Sequence, residues 1–386
     1  MALELSTIKF TDQADIVPPF GEEEILLNTG IANTLAGDDI LNGETGDIDD
    51  DILDPLMFNG ISNLDTSRLN TGNGNDILTG ISNNVSNYYL SGSGIYNRGT
   101  IETGNDNDII TGIDQTNTFG FGIFQSDRAT IDTGNGNDII AGSSAISRGI
   151  ANLFDSIINT GDGNDTITGE GFVGISNFSS ILETGDGNDR ITGNSNSNSD
   201  FDGSGISNDI GLIDTGEGND IITGIKGISN YQGTINTRNG DDSIISEGIF
   251  INDSGAIETG EGNDIITSTG VIYNYGVINT GNGDDLIIAN EGFESSPNSS
   301  GAWFLGEGED YIKGFGSGDF YGGNGLDILE LTPGSYTVGI WGEGGESPIF
   351  TKGNQLMITS EFEILLAGGT VYDFASLTAG QIIVVA

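Results

Sequence analysis

The chain has 386 residues, of which 10 are Lys or Arg and 58 are Asp or Glu, so its formal net charge is −48. Such a charge opposes a compact fold unless cations neutralise it, and the lack of a basic stripe argues against nucleic acid and anionic membranes as partners. The sequence has no His and no Cys, which excludes the usual zinc, copper and iron sites, disulfides, and thiol or imidazole catalysis. Oxygen ligands remain, and they suit Ca²⁺.

Residues 1–27 are predicted to form an N-terminal cap. Residues 4–10 alternate like a short strand, and Pro18-Pro19 interrupts the pattern. The first thirty residues do not resemble a cleaved secretory signal, because they lack a basic start and a continuous apolar run. No segment approaches the roughly eighteen apolar residues of a membrane span.

Residues 28–330 are predicted to form a solenoid. Gly227, Gly248 and Gly270 open successive units of 21 and 22 residues, and such a period is typical of a stacked coil whose apolar face is buried by its neighbours. Each unit holds one turn of the form Thr-Gly-x-Gly-Asn-Asp between aliphatic residues. Alternation with polar residues predicts strands on both sides of the turn, with the aliphatic side inward. Before the turn the inward residues are Leu69, Ile101, Ile131, Ile158, Leu182, Ile213, Ile235, Ile257 and Ile278, and after it Leu78, Ile110, Ile140, Ile167, Ile191, Ile222, Ile244, Ile266 and Ile287.

The half-coil opposite the turn carries a second repeated segment, Gly-Ile-x-Asn. It occurs at Gly60, Gly94, Gly149, Gly174, Gly205 and Gly227, with longer variants that end at Asn252 and Asn274. An Asn at the same bend of every coil predicts a ladder of side-chain amides that satisfies backbone groups at the bend. This role is structural.

The turn itself predicts a cation site. Gly at its second and fourth positions permits positive φ and close backbone approach, and the Asp at its sixth position supplies a carboxylate. Two turns stacked about 4.8 Å apart offer enough oxygens for an ion that takes six to eight ligands. Without such an ion the stacked carboxylates would repel one another, so the solenoid is expected to be unstable without metal.

These turns resemble the nonapeptide of the repeats-in-toxin (RTX) proteins, Gly-Gly-x-Gly-x-Asp-x-U-x, which binds Ca²⁺ in a parallel β-helix. TGNGNDILT at Thr71 and TGEGNDIIT at Thr215 match every position but the first. The resemblance covers residues 71–330 and implies ligand roles for Asp76, Asp108, Asp138, Asp165, Asp189, Asp220, Asp242, Asp264, Asp285, Asp310 and Asp327. Asp106 and Arg238 replace turn glycines. The degenerate sites therefore lie near Asp39, Asp51, Asp108 and Asp242. One column of ions is expected rather than two, because each coil holds one nonapeptide.

The resemblance also implies secretion of the unfolded chain by a type I machine that reads an uncleaved C-terminal segment. Residues 331–386 are predicted to form a C-terminal β cap from the short strands GSYTVGIW, QLMITS, FEILLA and TVYDF, and to include that signal. Export agrees with the absence of Cys and with a fold that needs extracellular calcium, at about 10⁻⁴ to 10⁻³ M.

The sequence therefore predicts an all-β, right-handed parallel β-solenoid (β-roll or β-helix) that binds several Ca²⁺ ions. The expected function is that of an exported, non-enzymatic structural or adhesive protein of a cell surface or matrix, with extracellular polysaccharide or self-assembly into filaments or layers as possible partners. The alternative is a carbohydrate-active enzyme or lectin. An acidic glycan could bind a ladder of Arg68, Arg98 and Arg128, but scattered surface charge is the favoured explanation of these residues. An ice-binding row at the third turn position is disfavoured by its mixed charge and side-chain length.

Overall fold

The computed structural model describes residues 2–19, 24–45, 58–83, 92–116, 119–197, 203–252, 254–295, 301–342 and 347–386. The chain divides into two compact units, Met1–Gly216 with Thr223–Lys226, and Glu217–Ile222 with Gly227–Ala386. Both units are built from three sheets of short, mostly parallel strands. The all-β parallel solenoid expected from the sequence is confirmed.

In the first unit each regular coil contributes one strand to each sheet. The first sheet holds Ala2–Glu4, Ile25–Asn28, Ile61–Asn63, Ile95–Asn97, Ile123–Gln125, Arg148–Leu153, Val173–Phe178 and Ile206–Asp209. The second sheet, which precedes the turn, holds Ile31–Asn33, Arg68–Asn70, Thr100–Glu102, Thr130–Asp132, Ile157–Asn159, Ile181–Glu183 and Leu212–Asp214. The third sheet, which follows the turn, holds Ile16–Val17, Ile40–Glu44, Ile77–Ser82, Ile109–Asp114, Ile139–Ser144, Thr166–Gly171 and Arg190–Ser195. The strand Ile221–Ile225 contains residues of both units.

The second unit repeats this plan and ends in antiparallel strands. Its first sheet holds Ile228–Tyr231, Ile249–Asn252, Ile272–Asn274 and Phe293–Glu294. Its second sheet holds Thr234–Asn236, Ala256–Glu261, Val277–Asn282, Ala302–Gly308, Gly318–Gly325, Gln355–Ser360, Ser347–Lys352, Gly334–Trp341 and Ile382–Val385. Its third sheet holds Ser243–Ser246, Ile265–Ser268, Leu286–Ala289, Tyr311–Lys313, Ile328–Leu331, Ile364–Ala367 and Thr370–Asp373.

Strict parallel register stacks like residues on one another and forms the core. Ile101, for example, pairs with Leu69 on one side and Ile131 on the other. Every aliphatic residue predicted to face inward before or after a turn is fully buried. The position just before the second inward residue faces out, as predicted, since Arg190 is exposed and Thr166 is half-buried. The period-2 pattern therefore identified the buried side of each strand correctly.

The predicted amide ladder is present at the bend of the first sheet in the first unit, but in the second unit Ile251, rather than the predicted Asn252, pairs with Asn230 and Asn274 and interrupts it. The Asn63 side-chain amide donates to Asn97 Oδ1 at 2.8 Å, and the Asn97 amide donates to Gln125 Oε1 at the same distance. Gln125 donates in turn to Asn152 Oδ1 at 3.1 Å. Gln125 was not predicted to belong to the ladder, yet it continues it because the longer side chain presents the same amide group. The buried amides satisfy one another and the backbone.

The two ends of the chain differ from the regular coils. The predicted strand over residues 4–10 stops after Glu4, because a 3-10 turn, Leu5–Thr7, begins there and the Glu4 carboxylate accepts from the Ser6 N–H. The predicted C-terminal strands are present, and a second 3-10 turn, Phe374–Ser376, follows them. Near this end Trp303 and Phe320 stack at 4.2 Å between ring centroids and fill the core. Among the described residues no helix is long and apolar enough to span a membrane.

Candidate metal centre

The turns stack so closely that two of their positions require glycine. Gly260 and Gly262 have φ angles of 104° and 133°, which L side chains rarely adopt. A Cβ on Gly262 would lie 1.9 Å from the carbonyl oxygen of Gly240 in the preceding coil. One on Gly283 would lie 1.8 Å from the Gly262 oxygen. The turn carbonyls therefore point along the stack at the next turn, where they can serve as ligands.

All eleven aspartates predicted as ligands lie at the same place in their turns, and each has at most 1% of its surface exposed. A twelfth, Asp39, joins them with no exposed surface, although its turn, Thr-Leu-Ala-Gly-Asp-Asp, has Leu35 in place of the first glycine. The first unit holds Asp39, Asp76, Asp108, Asp138, Asp165 and Asp189, and the second holds Asp220, Asp242, Asp264, Asp285, Asp310 and Asp327. We call these sets the aspartate columns. Asp51 lies outside the described residues.

Each column is ordered by backbone hydrogen bonds between coils. The Asp242 N–H donates to Asp264 Oδ1 at 2.9 Å, and the Asp264 N–H donates to Asp285 Oδ1 at 2.8 Å. The same bond links every successive pair in the first unit at 2.7–2.8 Å. One oxygen of each carboxylate is therefore fixed by the preceding coil, and this also fixes the direction of the other oxygen.

The second oxygen, Oδ2, is buried and accepts no hydrogen bond in ten of the twelve aspartates. The ten are Asp39, Asp76, Asp108, Asp138, Asp165, Asp242, Asp264, Asp285, Asp310 and Asp327. In most turns the opening threonine donates its hydroxyl hydrogen to a carbonyl of the next coil, as Thr259 Oγ1 does to Thr280 O at 3.1 Å. A buried carboxylate oxygen without a donor is costly unless a proton or a cation binds it. The columns repeat this arrangement coil after coil.

Burial also makes these carboxyl groups reluctant to ionise. Desolvation raises the pKa of Asp76 to about 6 and that of Asp285 to about 7, while the hydrogen bond from the N–H of the preceding coil lowers it in part. The pKa of Asp310 is also raised to about 7, by desolvation and by the neighbouring charges of Asp327 and Asp284. Near neutral pH each column is therefore poised between the protonated and the charged form, and a cation at Oδ2 would favour the charged form.

The donor set fits a hard cation that uses main-chain oxygens. Among the described residues no three acidic side chains converge on one point, so an ion would combine carboxylates of successive coils with turn carbonyls. Carboxylate and carbonyl oxygens are the ligands that Ca²⁺ prefers, in numbers from six to eight. The substituted turns keep this backbone, since Asp106 and Arg238 have φ angles of 85° and 64°. Asp108 and Asp242 stay in their columns.

The outer surface of the turns carries two further rows, one at the third turn position and one at the fifth position, which sequence reasoning did not single out. The fifth turn residue accepts from the following coil, as Asp241 Oδ1 does from the Asn263 N–H at 2.8 Å. At the third position of the second unit, Glu and Asn pair, and the Asn239 amide donates to Glu217 at 2.6 Å. The signal was an Asn or Asp at the fifth position of the turns from Asp38 to Asp284.

The arginines that could have formed a glycan-binding ladder are paired with acids. Arg98 contacts Asp65 at 2.9 Å and Asp127 at 2.8 Å, and Arg128 lies 3.9 Å from Asp155. Arg68 forms an ion pair with Glu102. Because each guanidinium already has a carboxylate beside it, these residues fit paired surface charge better than a site for an acidic polymer.

No family model matches this sequence, and no curated protein matches it at a significant level. One similar solved structure is a hyperactive, Ca²⁺-dependent, β-helical antifreeze protein from an Antarctic bacterium. The two are 17% identical over 96% of each chain, with a TM-score of 0.40. This likeness is too distant to indicate the function of the chain.

Proposed function

We propose that the aspartate columns bind Ca²⁺ between successive coils of each unit, and that the chain is an exported, non-enzymatic structural or adhesive protein. The observation that carries the calcium proposal is the repeated Oδ2 atom, which is buried without a donor in ten turns. A single such atom is an exception in a folded protein, but a regular series at one turn position indicates a repeated ligand. RTX-type repeats are the family pattern that this arrangement resembles.

A cation explains the columns better than protons alone at neutral pH. The carboxyl groups of Asp76 and Asp285, with pKa values of about 6 and about 7, lose their protons between mildly acidic and mildly basic conditions. Once charged, they repel along the stack and have no basic partner, because the chain has only 10 Lys and Arg. Ca²⁺ neutralises two carboxylates at once and accepts the carbonyls that the turns direct at one another.

The exported structural role is supported by the calcium concentration that the sites need and by the negative charge of the chain. In extracellular modules, sites of this type bind Ca²⁺ with dissociation constants of about 10⁻⁴ to 10⁻³ M, and a cytoplasm does not provide that concentration of free Ca²⁺. A surface with net charge −48 stays soluble and repels other acidic chains until divalent cations are present. Calcium would thus control both folding and association.

The test compares the metal-free protein with the calcium-loaded protein at pH 7.5 by circular dichroism, thermal melting and native mass spectrometry. We expect a higher melting temperature with calcium and several bound ions. Asp264→Asn keeps the acceptor for the Asp242 N–H but removes the charge, so it should reduce the count by more than one ion if each carboxylate bridges two. The matched control is Asp241→Asn in the exposed outer row, which should leave the count unchanged. Equal melting with and without calcium would refute the proposal.

A further inference from the structure

The last turn of the second unit is completed by the C-terminal cap. Ile364 pairs with Ile328, and Ser360 pairs with Tyr321, so the cap segment continues both sheets that flank a turn. Only three residues, Glu361, Phe362 and Glu363, join these strands where a regular coil uses six. The register places Glu361 at the position of the turn threonine and Glu363 at the position of the column aspartate.

Glu363 performs the hydrogen bonding of a column aspartate. Its Oε2 accepts from the Asp327 N–H at 2.8 Å, as each Oδ1 accepts from the coil before it. Glu361 has a φ of 61°, the left-handed conformation that glycine usually provides in these turns. The side chains of both glutamates are exposed. The cap therefore reproduces the hydrogen bond and the left-handed backbone of a regular turn, although its sequence contains no Thr-Gly-x-Gly-Asn-Asp.

The turn position that holds a threonine in most coils is Gly322 at the step between Asp327 and the cap, so no side chain fills the space beside Asp327. A Cβ on Gly322 would lie 2.0 Å from the Glu361 carbonyl oxygen and 2.7 Å from Asp327 Oδ2. These two oxygens border the same space. Asp327 has no exposed surface, and its Oδ2 accepts no hydrogen bond.

We propose that the space beside Gly322 is a distinct terminal Ca²⁺ site, with Asp327 Oδ2 and the Glu361 carbonyl as ligands and Glu363 as the second negative charge. The proposal rests on the calcium function of the columns. It goes further in assigning a site that joins the repeats to the cap, so that calcium fixes the C-terminal strand Ile364–Ala367 on the last coil. Calcium binding and folding of the cap are then one event.

Glu363→Gln in the full chain tests the site, because it keeps the acceptor for the Asp327 N–H and removes the charge. Glu309→Gln is the matched control, since it removes an equal, exposed charge from the turn of the preceding coil and leaves both ligands in place. We expect native mass spectrometry at limiting calcium to show one ion fewer for Glu363→Gln only. Hydrogen exchange should show calcium-dependent protection of the Asp327 and Ile364 amides in the unmodified chain and the control, and at least a tenfold loss of that protection in Glu363→Gln.

The outcomes separate this proposal from the calcium function of the columns. If the unmodified chain binds no calcium, both proposals are wrong. If it binds several ions, and Glu363→Gln retains the full number with unchanged protection, the columns bind calcium but the terminal site does not exist. Equal losses in both glutamate variants would indicate a general charge effect and would also overturn the terminal site.

Discussion

Replacing Asp285 with Asn should stabilise the metal-free protein at high pH. The pKa of the buried Asp285 carboxyl group is about 7 in the folded protein and 3.8 in an unperturbed one. The folded state therefore binds this proton more tightly than the unfolded state does. The stability that this bound proton contributes is fully present below about pH 4 and is lost as the pH rises through 7. Because one pKa unit corresponds to about 1.4 kcal/mol, the loss approaches 4 kcal/mol per site before coupling within the column reduces it.

Asn keeps the oxygen that accepts the Asp264 N–H and carries no charge, so the variant lacks this loss. Urea unfolding followed by circular dichroism should give nearly equal metal-free stabilities at pH 4.5 and an advantage of about 2–4 kcal/mol for Asp285→Asn at pH 8. With millimolar calcium the order should reverse, because the variant lacks a ligand. Asp284→Asn, an exposed neighbour in the outer row, should change stability by no more than about 0.5 kcal/mol throughout. A metal-free advantage that is equal at both pH values would show that the buried charge is not the cause.

Three further substitutions test the backbone of the coils. Gly262→Ala should lower the free energy of unfolding by about 2–4 kcal/mol, because the added Cβ meets the Gly240 carbonyl. Gly369→Ala, where φ is 79° and no atom lies within 4 Å of the added Cβ, should lower it by only about 1–2 kcal/mol, because only the backbone conformation is unfavourable. Asn152→Ala breaks the amide ladder and should cost about 2–4 kcal/mol in urea unfolding, against about 0.5 kcal/mol or less for the exposed Asn290→Ala. Arg238→Gly should stabilise by about 1 kcal/mol and raise the melting temperature, since φ is positive there; a lower one would contradict this.

The regular part of the molecule was predictable because its contacts repeat with the sequence. Once the period is known, each inward isoleucine and each column aspartate follows from its place in the turn, and parallel register stacks like on like. Asp39 was not assigned as a ligand because its turn has Leu35 in place of the first glycine, although the structure shows that the register of neighbouring strands still places it in the column. Stacking on a regular neighbour here outweighs a poor local turn sequence.

The terminal features could not be predicted, because they depend on contacts that do not repeat. Glu363 becomes the last member of its column only through the pairing of Ile364–Ala367 with Ile328–Leu331. No spacing rule indicates that a three-residue connection will replace a six-residue turn. The pairing of Arg98 with two acids from different coils was hidden in the same way, since an ion pair across coils depends on the lengths of the intervening segments. Long-range register decides both.

The two hydrogen-bonded rows of each turn explain why a proton can partly replace the ion. Asp242 donates its N–H to Asp264 in the following coil, whereas the neighbouring Asp241 accepts from Asn263 of that coil, so the donors of the two rows point in opposite directions. Each turn is therefore bonded to the coil on either side without any metal. These hydrogen bonds do not neutralise the charge on Oδ2, but either a proton or Ca²⁺ can neutralise it. Chelation should thus unfold the coils at pH 8 but leave far-ultraviolet circular dichroism close to that of the calcium form at pH 4.5. Loss of the strand signal at both pH values would show that the ion itself, rather than neutralisation of the carboxylates, holds the turns together.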